Sequence, residues 1–216
     1  MADRAVGVPI VREGIPFVAV AAVPALGAAA LGWPMLTALC GLATLFCAWF
    51  FRNPHRVIPQ ATGLVVAPGD GRVVAIEEEE ESRYLKSRSI RISIFLNVFD
   101  VHVNRIPCEG TIEGVTYQPG QFLVASRPDA TFRNEQNAVV IKTPDGRRVL
   151  CVQVAGLIAR RIVSWLTPGE QVARGERFGL IRFGSRMDTF LPLGSRVRVK
   201  IGDRVKGGAS VLAELS

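Results

Sequence analysis

The chain has 216 residues and a formal net charge of +7, which fits one full-sized domain with an appendage and excludes two large domains. Apolar residues make up 49% of it, a high share for a soluble protein, and no residue between Glu13 and Arg52 carries a charge. The charges of residues 1–51 cancel, so the whole positive charge belongs to residues 52–216 and predicts attraction to an anionic membrane surface. A basic chain can also bind nucleic acid, but no basic stripe interleaved with aromatic residues and no binding motif is present, so we expect no nucleic-acid partner.

The first predicted element is an apolar helical hairpin. Residues 15–51 are uncharged, and a single helical crossing of a bilayer needs about 20 apolar residues. Pro24 and the stretch Gly32-Trp33-Pro34 divide the segment, which indicates two tightly joined helices that span or embed in the membrane. A secretory signal peptide is the alternative, but the run is far longer than a typical signal core and lacks a clear cleavage site.

The residues after this segment predict its orientation. Arg52 and Arg56 follow it directly, and basic residues beside a membrane segment favour the cytoplasmic side. We therefore expect residues 1–51 to anchor the chain in the cell membrane and residues 52–216 to form a domain that faces the cytoplasm.

From Gly63 onward, the sequence consists of short β-branched runs separated by Gly, Pro and Asp. This spacing predicts a mainly β domain, a compact sandwich or barrel with hairpins like those of lipoyl domains. Residues 143–146 and 202–203 have the composition of hairpin turns. The acidic run from Glu77 to Glu81 is interpreted as a solvated turn between strands, and the local interpretation of Gly194-Ser195 is a turn or bulge before the last hairpin.

Several classes of enzyme have no support in the sequence. A P-loop, a dinucleotide fingerprint, a GxSxG elbow and an HExxH motif are all absent. The four cysteines, Cys40, Cys47, Cys108 and Cys151, lack the spacing of metal ligands, so we expect no metal and reduced, inert thiols.

His102 is the candidate for acid–base chemistry. In a strand, alternation would place Asp100, His102 and Asn104 on one face, where a carboxylate could fix the tautomer of the imidazole and raise its basicity. A single histidine in a strand also commonly has only a structural role.

Six stretches of the sequence stand in the same order as in one known family. They are FFRNPHR (50–56), APGDG (67–71), FDVHVNRIP (99–107), GLIRFGSRMD (179–188), LGS (193–195) and VKGGASVLA (205–213). With them, nearly the whole chain resembles the short bacterial and archaeal form of the phosphatidylserine decarboxylase proenzyme. Each stretch alone is a weak signal, whereas six in order are a strong one.

The resemblance implies that the chain is a zymogen that cleaves itself at Gly194-Ser195. The Ser195 hydroxyl would attack the preceding carbonyl, and β-elimination and hydrolysis would convert Ser195 into a pyruvoyl group, the covalent cofactor. Residues 1–194 and 195–216 would then remain together as a heterodimer. The ketone would form a Schiff base with phosphatidylserine and act as the electron sink for loss of carbon dioxide, which yields phosphatidylethanolamine.

The resemblance also implies roles for other residues. Asp70 matches the aspartate of the P-x-D-G stretch, and His102 matches the first histidine of the D-x-H motif. Long-chain members have a second histidine three residues later, where this sequence has Arg105. The base is therefore expected to be His102, with Asp70 or Asp100 as its orienting carboxylate.

Two other functions are weighed against this one. The closing segment resembles lipoyl and biotinyl carrier domains, but it lacks their modified lysine turn. A non-catalytic, membrane-tethered β-sandwich that binds lipid is the second alternative, and the intact Gly194-Ser195 pair with a candidate base favours the enzyme.

Overall fold

A computed structural model describes residues 8–121, 134–156, 162–182 and 185–216. The chain divides into two compact units, Met1–His55 and Arg56–Ser216. The first unit contains the apolar helices and the second contains the β structure.

The predicted helical hairpin is confirmed. A 3-10 turn at Arg12–Gly14 leads into α1 (Ile15–Ala30), and α2 (Pro34–Phe50) returns after a turn at Gly32, whose φ of +70° suits glycine. By length and composition, one stretch in the described part of the chain, Arg12–Ala30, could cross a membrane, while α2 with 17 residues is shorter.

The base of the hairpin is tied together by main-chain and aromatic contacts. A β-bridge joins Ile10 to Arg52, and the rings of Phe17 and Phe51 stack at 5.2 Å. In contrast, many large apolar side chains along both helices are exposed, among them Val20, Leu26 and Met35. Such a large exposed apolar surface is typical of a membrane or protein contact.

The second unit is mainly β, as predicted, and its strands all pair antiparallel. Eight of them form a curled half-barrel in the order β13-β2-β3-β11-β7-β6-β5-β9, and two smaller sheets have the orders β1-β14-β12 and β4-β10-β8. The strands of the described residues are β1 (Leu64–Val66), β2 (Gly71–Glu81), β3 (Ser87–Leu96), β4 (Val103–Arg105), β5 (Gly110–Gln118), β6 (Gln136–Lys142), β7 (Arg148–Val154), β8 (Ile162–Ser164), β9 (Gln171–Val172), β10 (Arg177–Ile181), β11 (Ser185–Pro192), β12 (Arg196–Val197), β13 (Arg204–Val205) and β14 (Val211–Glu214).

Alternation along the strands separates the two faces of the large sheet. The inner face packs the main core, which includes Val73, Ile94 and Met187, three residues that lie opposite one another on β2, β3 and β11. A smaller cluster with Val152, Val154 and Phe190 covers part of the outer face.

The interpretation of Glu77–Glu81 as a turn is wrong. These residues form the second half of β2 and pair with β3, where Arg91 forms ion pairs with Glu77 and Glu79. Opposite charges on neighbouring strands stabilise the pairing, so the acidic run is tolerated in a strand. The predicted turn at residues 143–146 is confirmed between β6 and β7, and Gly202-Asp203 lies in the turn before β13.

The pairing of β3 with β11 defines two ends of the large sheet. At one end, Ser185 lies opposite Leu96, and at the other, Pro192 lies opposite Ser89. We call these the Leu96 end and the Ser89 end. The eight residues of β11 separate them by about 24 Å at the usual rise of an antiparallel strand.

Candidate active site

The Leu96 end holds both of the aspartates proposed to orient the base. A turn follows β3, and in it the Asp100 carboxylate accepts a hydrogen bond from the Asn97 amide (2.9 Å) and pairs with Arg204 (3.1 Å). Residues 97–102 are not in a strand, since β4 begins at Val103. The expectation that strand alternation aligns Asp100 with His102 is therefore wrong.

His102 is buried, with 2% of its surface exposed, and its Nδ1 lies 3.0 Å from the main-chain oxygen of Asp100. A carbonyl oxygen can only accept, so this contact requires the proton on Nδ1. The backbone of Asp100 thus makes one contact that orients the imidazole.

Asp70 lies close to this turn and accepts two hydrogen bonds. Its carboxylate pairs with Arg56 at 2.7 Å and accepts a bond from the Gly207 amide at 2.8 Å. Burial raises the pKa of Asp70, although Arg56 and the Gly207 amide act in the opposite direction, and the negative charge of Asp100 raises this pKa further. Burial thus makes the charge of this carboxylate costly despite its two hydrogen bonds, as is common at functional sites.

Arg105 stands where long-chain members carry their second histidine. Its guanidinium donates a hydrogen bond to the Gly175 carbonyl at 2.9 Å. Burial, together with the neighbouring Arg56 and Arg177, lowers the pKa of Arg105 to about 10. Arg105 is therefore still a cation at neutral pH and cannot serve as a base there.

Gly194 and Ser195 lie at the Ser89 end, beyond Pro192. The Ser195 hydroxyl donates to the Pro192 carbonyl (2.8 Å), and the Gly194 carbonyl accepts from the Ser216 hydroxyl (2.8 Å). Gly194 has a φ of +91°, which fits the interpretation of this pair as a turn. The structure thus brings together His102, Asp100 and Asp70 at the Leu96 end, but it does not bring Gly194-Ser195 to them.

A second glycine–serine pair begins the same strand. Ser185 is fully buried at the Leu96 end, and its hydroxyl has no hydrogen-bond partner among the described residues. Four residues earlier, the Ile181 amide donates to the main-chain oxygen of His102 at 3.4 Å. Phe183 and Gly184, inside the motif GLIRFGSRMD, lie outside the described residues.

Buried amides line the inner face next to Ser185. Gln153 lies opposite Met187, donates to Asn104 (2.8 Å) and accepts from Asn137 (2.9 Å). Side chains two residues apart on a strand share a face, so Ser185, Met187 and this amide chain line the same interior. Sequence reasoning missed Gln153, Asn137 and Ser185, although Ser185 belongs to a second glycine–serine pair inside the stretch GLIRFGSRMD.

The described part of the chain contains no group of three or more His, Cys, Asp or Glu side chains that could bind a metal ion. Cys108 and Cys151 are buried, and burial raises the pKa of Cys108 to about 12, so this thiol is protonated at neutral pH.

Comparison with known proteins identifies the family. The sequence profile of phosphatidylserine decarboxylase matches residues 43–213. Three similar proteins are named phosphatidylserine decarboxylase proenzyme. The one from Nitrosomonas eutropha is 52% identical to this chain over 206 residues, which cover 95% of this chain and 94% of the relative. Those from Burkholderia cenocepacia (48% over 211 residues, 95% and 96% covered) and Syntrophus aciditrophicus (45% over 204 residues, 94% and 96% covered) are similar along almost the same length. With a profile match over most of its length and similar relatives along nearly all of it, the chain belongs to the phosphatidylserine decarboxylase family.

Proposed function

We propose that the chain is a self-processing, pyruvoyl-dependent decarboxylase that converts phosphatidylserine to phosphatidylethanolamine and carbon dioxide. Family membership supports the overall reaction. The observation that carries the self-processing is a buried serine hydroxyl, that of Ser185, at the same end of the sheet as the buried imidazole of His102.

Two glycine–serine bonds are candidates for self-cleavage, and the geometry favours Gly184-Ser185 over Gly194-Ser195. A general base must come within hydrogen-bond reach of the hydroxyl that it activates. Ser185 begins the strand that extends from the His102 region, whereas Ser195 comes after the opposite end of that strand, and the two ends of the strand lie about 24 Å apart.

Cleavage at Ser185 needs no reagent except water. The hydroxyl attacks the Gly184 carbonyl carbon, the amide C–N bond breaks, and an ester with a free amine on residue 185 results. Removal of the α-proton of residue 185 then expels the Gly184 carboxylate and leaves dehydroalanine. This tautomerises to an imine, and water hydrolyses it to the pyruvoyl group and ammonia.

The protein's own groups serve both stages. His102 Nε2 accepts the hydroxyl proton in the first stage, and the same atom is the candidate donor of the proton that the substrate α-carbon takes up after carbon dioxide leaves. The pyruvoyl ketone supplies the electron sink through a Schiff base with the substrate amine. Asp70 and Asp100 act as positioning residues for the turn and for the groups around His102.

We further propose that the apolar hairpin anchors the enzyme in the cell membrane, with the β unit facing the cytoplasm. The exposed apolar side chains of α1 and α2 and the basic residues after them support this location. The two chains that result from cleavage would stay together as a heterodimer, because β11, which begins at Ser185, pairs with β3 and β7 in the centre of the sheet.

The test of the function is decarboxylation of phosphatidylserine vesicles by the purified protein, with and without phenylhydrazine. We expect carbon dioxide and phosphatidylethanolamine as products, and loss of activity with phenylhydrazine, which reacts with ketones. Phosphatidylcholine, which has no carboxylate to lose, is the control substrate. Full activity after treatment would contradict the pyruvoyl mechanism, and binding of phosphatidylserine without turnover would support the non-catalytic alternative.

A further inference from the structure

We propose that one edge of the β unit is a docking surface for anionic lipid, separate from the apolar hairpin. This basic rim consists of Arg72, Arg204 and Lys206, the turn at residues 200–203 with Ile201 at its tip, and Phe99. The inference rests on the proposed function, because it concerns how an enzyme that acts on a membrane lipid would meet its substrate surface.

The rim begins with a pair of like charges. Arg204 on β13 lies directly opposite Arg72 on β2, and both residues are exposed. Like charges directly opposite on antiparallel strands destabilise the pairing. Arg204 also pairs with Asp100, whereas Arg72 has no ion pair among the described residues. Lys206, two residues after Arg204, adds a third exposed cation to this edge.

An exposed apolar side chain lies next to these cations. Ile201 is 64% exposed in a turn closed by a hydrogen bond from the Asp203 amide to the Lys200 carbonyl (3.1 Å). The Asp203 carboxylate also accepts from the Lys200 amide (2.8 Å), and the Gly202 amide bonds to Val73 on β2 (2.8 Å). The turn is therefore fixed to the sheet, and it holds Ile201 in solvent rather than in the core.

A second apolar side chain extends the rim toward the candidate active site. Phe99 is 66% exposed, and its amide bonds to the side chain of Asn97 at 2.8 Å. The next residue, Asp100, pairs with Arg204, so the turn that carries Phe99 is tied to the basic strand. The rim thus lies at the Leu96 end, where His102 and Asp70 are also found.

The combination of cations and exposed apolar side chains fits an anionic bilayer. Basic residues are attracted to the headgroup layer, while aliphatic and aromatic side chains enter the boundary of the acyl chains. Charge complementarity therefore selects anionic lipid, and each cation near the surface is expected to strengthen the contact about fivefold.

The full-length chain can be tested directly with a fluorescent probe in the rim. Ile201→Trp would be reconstituted into brominated phosphatidylcholine alone, or into an equimolar mixture with phosphatidylglycerol. We expect bromine to quench the added emission strongly in the anionic mixture and weakly in phosphatidylcholine, and salt to reverse the difference. Emission of the unsubstituted chain, with its three tryptophans, is subtracted.

Matched variants locate the effect. Tyr117→Trp replaces an exposed residue on β5, five strands from β2 in the sheet, and should show no anion-dependent quenching. In the Ile201→Trp background, Arg72→Glu should weaken the anion-dependent quenching at least fivefold, while Lys142→Glu, exposed at the Ser89 end, should leave it unchanged.

The readout does not depend on turnover, so it separates this inference from the proposed function. Equal quenching of Ile201→Trp in neutral and anionic vesicles, or the same loss with Lys142→Glu as with Arg72→Glu, would overturn the docking surface even if the enzyme is active. Anion-dependent quenching in a protein without decarboxylase activity would support the surface and leave the proposed function as the part that failed.

Discussion

The serines of the two glycine–serine pairs stand at opposite ends of a single strand, and their hydroxyl groups differ in hydrogen bonding. Ser185 begins β11, where its buried hydroxyl shares the Leu96 end with His102, Asp100 and Asp70. Ser195 follows β11, where its hydroxyl donates to Pro192 in a turn. We therefore propose Gly184-Ser185, the pair that shares its end of the sheet with a histidine, as the site of self-cleavage, and expect Gly194-Ser195 to be only a turn.

The largest expected effect comes from removing each serine in turn. Ser185→Ala should abolish both cleavage and decarboxylation, because it removes the nucleophile and the precursor of the pyruvoyl group. Ser195→Ala should mature and turn over lipid normally, and should lose only about 1 kcal/mol of stability with the hydrogen bond to Pro192. Gel analysis of maturation and a decarboxylation assay measure both. The reverse pattern would return the cleavage site to Gly194-Ser195.

The next effect tests the base at the Leu96 end. His102→Ala should slow maturation by about 10²- to 10⁴-fold, the usual contribution of general acid–base assistance. His55→Ala is the matched control, since His55 is the other histidine of the chain and is exposed. The rate of conversion to two chains after synthesis is the measurement, and maturation of His102→Ala at the normal rate would limit His102 to a later step or to packing.

The smallest expected effect is on the pH dependence of stability, which should differ between Asp70 at the Leu96 end of the sheet and Asp145 at the Ser89 end. Burial raises the pKa of Asp70 in the folded protein, so its favourable contribution is present at low pH and is lost as the pH rises through this raised pKa, above the ordinary value of 3.8. Relative to Asp70→Asn, the wild-type chain should therefore lose unfolding free energy as the pH rises through that window.

Asp145 should behave in the opposite way. Hydrogen bonds from Arg147 and Thr143 lower its pKa, so its contribution is present above the ordinary value of 3.8 and is lost as the pH falls through the lowered pKa. Asp145→Asn should mature normally and become relatively more stable in acid. Denaturant unfolding measured from strongly acidic pH, below 3.8, up to neutral pH covers the windows of both variants, and slopes of the same sign would contradict the contrast between the two ends.

Much of the fold could be predicted because the signals were local. An uncharged run interrupted by Gly32-Trp33-Pro34 specifies a helical hairpin, and β-branched runs with turn residues such as Asp145-Gly146 specify antiparallel strands. The prediction of a turn at Glu77–Glu81 was wrong because the residue that stabilises this run in a strand is distant in the sequence. Its carboxylates are tolerated in a strand because Arg91 lies on the neighbouring strand, and no pattern within the run indicates that partner.

The site was harder to predict for the same reason. The residues around His102 indicated that it is a candidate base. Strand alternation, however, predicted a contact between His102 and the Asp100 side chain, whereas the chain turns at residues 97–100 and the imidazole contacts the Asp100 backbone. The choice between Ser185 and Ser195 depends on the register of β11 against β3, which brings Ser185 opposite Leu96. Register joins residues about ninety positions apart, and sequence patterns within one strand do not determine it.

The most direct test of the account is the intact mass of the purified, active protein. Cleavage at the Leu96 end predicts two chains, residues 1–184 and 185–216, with the second blocked at its amino terminus by a pyruvoyl group. Chains of residues 1–194 and 195–216 would contradict the assignment of Ser185 while preserving self-cleavage. A single chain of 216 residues in an active preparation would contradict self-processing altogether.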